Sequence, residues 1–330
     1  MGPLKGIKIL DFTQAHAGSL ATMLLADFGA EAIKIERAGV GDLARYWEPL
    51  KNGESGYFAF LNRNKKSISL DAFSREGKEI IFKLVKEVDV VCENFKYGSM
   101  DRLGFDYETL KGINPGIIYA SLNGFGQSGV MKNVIGLDLQ LQAMSGIMEA
   151  TGLAQGPPAR VGAALGDHIS GTYMAMAVCL ALIHRQKTGM GQYIDIAILD
   201  SLCSILAEHP AVYSLEGKAA EKERGRAAAP SLKVNSVSGA MANEQILSRD
   251  MVYSFADGEL GEIKFPGIPI KLSGTAGKIR SGAPRKGEHT KYYLKSLKYE
   301  DEEIDELIAK GVVESSLENS LESSKEGERV

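Results

Sequence analysis

Strand-like and helix-like segments alternate through the first two-thirds of the chain, and that alternation limits the fold more than any other feature. Ile7-Lys-Ile-Leu-Asp11 is a short apolar run ending in an acid, the pattern of a buried parallel strand. Residues 13–18 read as a turn. Residues 19–28 then read as a helix, with Leu20, Met23, Leu24 and Phe28 on one face and Gly29 as its stop. Ala32-Ile-Lys-Ile-Glu36 is the second strand. The order recurs: strand over 67–70, helix over 78–86, strand at Val88-Asp-Val-Val-Cys92, short helix over 107–111, strand at Ile117-Ile-Tyr-Ala-Ser121. After a turn at Thr188-Gly-Met-Gly191, Tyr193-Ile-Asp-Ile-Ala-Ile198 is another strand. Such alternation predicts an α/β fold, a Rossmann-like parallel sheet with helices on both faces.

Beyond residue 215 the pattern weakens. Residues 216–229 are Ala, Lys, Glu and Arg with almost no large apolar side chain, an exposed helix or a linker. Residues 236–246 read as helical and 262–272 as a hairpin. The stretch after Val313 is Ser- and Glu-rich, which predicts disorder. A net charge of −4 gives no basic excess for nucleic acid. The five histidines are scattered without H-x-x-x-H or H-E-x-x-H spacing, so no metal site is expected. Cys92 and Cys179 sit in apolar runs and read as buried, reduced thiols. Nothing reads as a signal peptide, and no apolar run reads as long enough to span a bilayer. The expectation is a cytoplasmic protein with no membrane partner.

Several segments carry candidate chemistry. The opening strand–helix–strand unit suggests a dinucleotide site, but its turn is Thr13-Gln-Ala-His-Ala-Gly18 and lacks G-x-G-x-x-G. NAD is therefore set aside. Arg37, after the second strand, suits a ribose phosphate or simply pairs with Glu36 or Asp42. Asn62-Arg-Asn-Lys-Lys66 is a basic cluster, either a solvated loop or a hold on an acidic cofactor. Asn94, Phe95 and Lys96 follow a strand and so lie at the carboxyl edge of the sheet, where open α/β sheets bind ligands. Arg102 comes one short turn later. Asp167 lies in Gly162-Ala-Ala-Leu-Gly-Asp167-His-Ile-Ser-Gly171, before a long apolar segment over 172–183. It reads as a helix N-cap, worth about 1 kcal/mol, or as a glycine-flanked nucleophile whose ionised form a helix N-terminus favours.

Taken together, the segments resemble family III CoA-transferases, the carnitine and bile-acid CoA-transferase type. The likeness runs in order through Pro3-Leu-Lys-Gly-Ile-Lys-Ile-Leu-Asp11, Leu25-Ala-Asp-Phe-Gly-Ala-Glu-Ala-Ile-Lys-Ile-Glu-Arg37, Gly41-Asp42, Asn64-Lys-Lys-Ser-Ile-Ser-Leu-Asp71, Glu93-Asn-Phe95, Gly124-Phe-Gly-Gln127, Gly166-Asp167 and Gly191-Gln192. The resemblance implies a CoA-transferase acting on an acyl-CoA and a carboxylic acid, with coenzyme A as substrate and no metal. It implies Asp167 as nucleophile, forming an anhydride and then an aspartyl-CoA thioester. It also implies that His16 and Ala17 border the thioester, that Arg37 meets the adenosine 3′-phosphate region, and that Leu70, Asp71, Ala72, Phe73, Asn94, Phe95, Lys96 and Arg102 make further CoA contacts. Backbone N–H groups of 166–168 are the expected oxyanion donors. A racemase branch of the family carries His at the position of Leu137, which cannot move a proton, so that branch is disfavoured.

The likeness resumes at Asn235-Ser-Val-Ser-Gly-Ala-Met-Ala-Asn-Glu-Gln245, Pro269-Ile-Lys-Leu-Ser273 and Gly287-Glu-His-Thr290. It implies a large CoA-binding domain over 1–215, a shortened linker over 216–233 in place of a small lobe, a segment over 234–312 packing back on the large domain, and an acidic tail over 313–330. In the family that lobe covers the active site and helps two subunits interlock. The expected assembly is a homodimer, weakened by the shortening, and a non-catalytic CoA-binding remnant is the alternative reading.

Overall fold

A computed structural model describes residues 2–153, 155–218 and 234–316. Six parallel strands form most of one sheet: β1 (Lys8–Asp11), β2 (Glu31–Arg37), β3 (Lys65–Leu70), β4 (Val90–Glu93), β5 (Ile118–Asn123) and β6 (Tyr193–Ala197). They lie side by side as β3-β2-β1-β4-β5-β6, the doubly wound Rossmann order, with its switch point between β1 and β4. Two further strands, β7 (Val252–Asp257) and β8 (Gly261–Pro266), pair as a separate antiparallel hairpin. A last strand, β9 (Val313–Glu314), pairs antiparallel with the outer edge of β3 and brings the main sheet to seven strands.

The helices used below are α1 (Ala17–Asp27), α2 (Gly56–Leu61), α3 (Arg75–Val85), α4 (Tyr107–Ile113), α5 (Asp138–Met144), α6 (Leu165–Thr188), α7 (Ile198–Ser204), α8 (Thr290–Ser296) and α9 (Asp301–Ala309). Period-two alternation sends neighbouring strand residues to opposite faces. Leu10, Ile33 and Val91 pack against Ile81 and Leu84 of α3, Leu294 of α8 and Ile304 of α9. Ile9, Val90 and Ile118 pack against Ala21 of α1, Val178 of α6 and Leu202 of α7. Each fully buried aliphatic side chain contributes about 1.5–3 kcal/mol. Helices thus cover both faces, as the alternation predicts. Close packing of α6 on α1 depends on Gly171, where a Cβ would lie 2.4 Å from the Ala17 carbonyl oxygen.

Several expectations shift. Helix α3 starts three residues early because the Ser74 hydroxyl accepts the Gly77 N–H at 3.0 Å and caps it. The segment read as one helix over 236–246 is two short ones, Val237–Met241 and Glu244–Ser248, separated by Asn243, whose side chain caps the second. The hairpin starts ten residues before its expected position and ends six residues before it, at Pro266. Its turn is set by Asp257, whose carboxylate accepts the N–H groups of Glu259 and Leu260, both at 2.9 Å. The predicted tail begins too early, because Val313 and Glu314 are sheet residues. Residues 317–330, and 219–233 of the expected linker, lie outside the described residues. Cys92 is buried, but Cys179 is only partly so.

Helix α6 is longer than its apolar stretch suggests. Its 24 residues are long and apolar enough, by length and composition alone, to cross a bilayer, which no run was expected to be. One face of it is packed on α1 and the sheet, and the core helix of a globular domain meets the same criteria.

Apart from the exposed Lys66, the basic cluster is neither a solvated loop nor a free cofactor hold. Arg63 and Lys65 are almost wholly buried. Arg63 pairs with Asp27 at 2.8 Å and donates to the Pro266 carbonyl. Asn64 donates to Asp27 and to the Lys278 carbonyl and accepts the N–H groups of Arg280 and Ser281. Lys65 pairs with Asp11 at 3.0 Å and also donates to Asn62 and to the Ser19 carbonyl. Arg63 and Asn64 thus fasten residues 266–281 to the end of α1, while Lys65 ties the start of β3 to β1 and α1. Glu314 adds a clamp at the edge, accepting from Ser69 and from the Gly39 N–H and pairing with Lys286.

Candidate active site

The site lies where the loops after β1 and β4 diverge. Asn94 locks these loops together: its amide oxygen accepts the Gln14 N–H at 2.7 Å, and its amide nitrogen donates to the Gln14 carbonyl at 2.8 Å. Gly18 permits the close approach, since a Cβ there would lie 2.5 Å from Thr13 Cγ2 and 3.2 Å from Asn94 Cβ. Ala15 sits at φ 59°, a left-handed conformation unusual for a residue with a Cβ. Its N–H donates to Asp42 at 3.1 Å, and Asp42 pairs with the buried Lys34 at 2.7 Å. The loop is therefore anchored on both sides just before His16.

His16 Nδ1 lies 2.5 Å from the Tyr57 hydroxyl. Tyr57 is the second residue of α2, whose first turn is capped by Ser55, and Trp47 packs edge-on against it with centroids 5.3 Å apart. The His16 ring also lies 6.0 Å from that of His168.

Asp167 is the third residue of α6, and the N-cap is Ala164. The capping reading of Asp167 therefore fails, for its side chain makes no cap. Among the described residues, no hydrogen bond or ion pair engages the Asp167 carboxylate. Its nearest acidic neighbour, Asp138, is fully committed: one oxygen accepts the Gly166 N–H at 2.7 Å and the other accepts from Gln142 at 2.7 Å. Gly166 leaves room for this, since a Cβ would sit 2.7 Å from Ile198 Cγ2 and 2.8 Å from Asp138 Oδ1.

The electrostatics follow from burial without a cation. Burial first, then the Asp138 charge, pushes the Asp167 carboxyl up to about 7. The expected preference for the ionised form at a helix N-terminus is overridden. Burial, with Asp167 and Asp138 behind it, raises Tyr57 to about 12. Burial, then His168, lowers His16 to about 4, against a smaller opposing pull from Asp138. At neutral pH the site thus holds a neutral imidazole, a neutral phenol and a carboxyl poised between its two forms.

The expected oxyanion donors are mostly taken. Gly166 N–H belongs to Asp138, and His168 N–H donates to the Ala164 carbonyl at 3.0 Å. Neither of these two N–H groups is open to a further acceptor.

The remaining candidates line the same carboxyl edge of the sheet. Arg37 is exposed, with its guanidinium carbon 5.7 Å above the exposed Phe73 ring. The pairing of Arg37 with Glu36 or Asp42 does not occur, because Arg45 takes Glu36 at 2.7 Å and Lys34 takes Asp42. Leu70 is wholly buried in the core and its carbonyl accepts the Ala38 N–H. Asp71 accepts the Phe73 N–H at 3.0 Å, and Ala72 packs against the core. Ala17 is buried at the start of α1. Phe95 is half-buried, its N–H bonded to Glu93, whose carboxyl burial raises to about 7. Lys96 and Arg102 are exposed, the latter donating to Ser99 at 3.0 Å. Among the described residues, no group of three or more His, Cys, Asp or Glu is placed to hold a metal ion.

Local reading of the sequence missed Tyr57, Trp47 and the role of Asp138. Asp138 opens a helix, as many structural acids do, and nothing local shows that it accepts from Gly166, 28 positions away.

Fold and site together define an α/β protein of doubly wound type with an unpaired carboxylate beside the switch-point cleft. The family model for CoA-transferase family III matches residues 4–233 and 225–290, and the chain belongs to that family. It is 43% identical over 219 residues to an acetyl-CoA:oxalate CoA-transferase of Acetobacter aceti, an alignment covering 66% of this chain and 56% of that protein. It is 40% identical over 232 residues to a succinyl-CoA:mesaconate CoA-transferase of Haloarcula hispanica, covering 68% and 58%. The chain thus spans a little over half the length of these curated relatives. A CaiB/BaiF family protein from Brucella suis superposes with a TM-score of 0.82 at 28% identity, covering 90% of this chain and 99% of that one.

Proposed function

We propose that this protein transfers coenzyme A from an acyl-CoA to a carboxylic acid, with Asp167 as the nucleophile. The observation that carries the reading is the Asp167 carboxylate, partly dried, free of hydrogen-bonding partners and held on a rigid helix beside the cleft. A carboxylate without partners keeps its lone pairs for attack. An Asp167 oxygen adds to the thioester carbonyl carbon, the C–S bond breaks and CoA thiolate leaves, giving a mixed anhydride. The thiolate then attacks the Asp167 acyl carbon, and the donor acid departs with the bridging oxygen. The acceptor acid takes CoA by the same steps in reverse. Splitting the exchange this way keeps the acyl groups activated throughout.

Arg37 and Phe73 are the proposed holds for the adenosine end, with Lys96 and Arg102 adding positive charge and Asn94 and Phe95 shaping the cleft wall. His16 and Ala17 border the thioester. A homodimer belongs to the same reading: Met176, Leu180 and Ile183 of α6 recur at helical spacing and are more than half exposed, an apolar face that a second copy would cover.

The test is intact-protein mass spectrometry after mixing the protein with a panel of acyl-CoAs, then treatment with hydroxylamine. An acyl- or CoA-sized adduct that maps to Asp167 and is lost to hydroxylamine is expected, and Asp167→Ala should form none. Undiminished transfer by Asp167→Ala overturns the assignment. Clear CoA binding without any adduct would instead leave a non-catalytic cleft.

A further inference from the structure

Gly166 and His168 N–H groups are occupied, yet attack by Asp167 places negative charge on the thioester oxygen. One buried polar atom nearby lacks a partner: His16 Nε2 is almost without solvent exposure and has no hydrogen bond among the described residues. Leaving such a group unsatisfied costs about 1–3 kcal/mol. Its other nitrogen, Nδ1, is engaged by the Tyr57 hydroxyl at 2.5 Å.

Resting on the transferase reading, we propose that Tyr57 donates its hydroxyl hydrogen to His16 Nδ1, which fixes the imidazole proton on Nε2, and that this Nε2–H is the donor to the acyl oxygen during attack by Asp167. Three observations support the assignment. A phenol is a stronger acid than a neutral imidazole N–H, so in a bond shared by the two the phenol donates. The Tyr57 proton is held firmly, because burial and the Asp167 and Asp138 charges oppose its loss. The imidazole is held neutral by burial and by His168, so its two nitrogens must divide the roles of acceptor and donor. No proton is transferred in the step: the electron pair of the carbonyl moves to oxygen, Nε2–H stabilises it, and it returns as the C–S bond breaks. His16 is in this sense a catalytic residue and Tyr57 a positioning residue acting through it.

The experiment has two readouts. Nitrogen-15 NMR of histidine-labelled protein reports the tautomer of His16 in the free state: protonation at Nε2 is expected, with a mixture in Tyr57→Phe, whereas protonation at Nδ1 overturns the proposal. The second readout is the rate of Asp167 adduct formation at saturating acyl-CoA in a double-mutant cycle. His16→Ala should lower the rate about 100-fold with little change in KM. Tyr57→Phe should lower it about tenfold, as loss of a group that orients another does. His16→Gln carries a neutral N–H donor that does not depend on Tyr57, so adding Tyr57→Phe to it should change the rate less than twofold. An equal loss from Tyr57→Phe in both backgrounds assigns Tyr57 a packing role and overturns the relay. Absence of any Asp167 adduct in the parent protein is a different failure: it removes the transferase reading itself.

Discussion

Two groups of buried carboxylates lie under the same edge of the sheet and behave in opposite ways. Asp11 is fully buried, and burial alone would raise its pKa. Lys65 and Lys34, with hydrogen bonds from Thr13 and Thr22, more than offset that and hold it below its usual range. Asp167 is also largely buried, pairs with no cation among the described residues, has a second carboxylate beside it, and rises to about 7. Burial is common to both; the partners decide the sign. A carboxylate with every lone pair engaged is a structural part, while one with none engaged keeps its reactivity at the expense of stability.

The largest effect should come from breaking the satisfied group. Asp11→Ala leaves Lys65 with only Asn62 and the Ser19 carbonyl, and removing one partner of a buried pair typically destabilises by about 3–5 kcal/mol. Urea unfolding should show that loss; a change under 1 kcal/mol would mean the network is not holding the fold. The opposite sign is expected at the second group. Asp167 has a folded pKa above its ordinary 3.8, so its contribution to stability is fully present below pH 4 and is lost as pH rises through about 7. Asp167→Asn should therefore unfold at a higher temperature than the parent above pH 7, by an amount equivalent to a few kcal/mol, with the two converging in acid. Glu93 titrates in the same range, so the variant should keep part of the alkaline decline.

A smaller effect isolates the like charge. The rate of adduct formation should rise with pH through about 7 as Asp167 ionises, and Asp138→Asn should move that rise roughly one pH unit lower. It should remain well above 3.8, because burial is the larger cause; an unmoved profile would assign the limb to another group. The smallest stability change is expected at Arg37. This exposed cation should be replaceable by alanine within about 0.5 kcal/mol, while KM for acyl-CoA rises roughly tenfold, the worth of a charged hydrogen bond.

The same contrast explains what could be read from the sequence. Strands β1, β2, β4 and β5 were legible because a strand buried on both faces is mostly an apolar run, even with the buried Lys34 inside β2. The carboxyl-edge position of Asn94 followed from that order alone. Residues 62–66 misled, since charge in sequence normally means solvent, and only the fold shows Asp11 and Asp27 waiting for Lys65 and Arg63. The hairpin had a usable local sign in Asp257-Gly258, a turn pair, but the apolar residues further on were more conspicuous. His16 and Tyr57 are 41 positions apart and nothing local joins them. A nucleophilic role for Asp167 is suggested by glycines and by resemblance, but its raised pKa comes from burial first and Asp138 second, and both need three dimensions to be seen.

The clamp at Glu314 has a consequence for synthesis. Ser69 and Glu314 are 245 residues apart, so while the chain emerges from the ribosome the outer edge of β3 waits for its partner. At about 5–20 residues per second that wait is roughly 10–50 seconds. Throughout it, a strand edge with open N–H and C=O groups is a template for pairing with other chains. The loop leading from Arg37 is held by Leu70, Lys34 and Glu36 in the meantime, and gains its Gly39 N–H contact only when Glu314 arrives. The nascent protein therefore completes this sheet edge and the Gly39 contact in one late event, and a chaperone that shields strand edges would act on it most usefully in that interval.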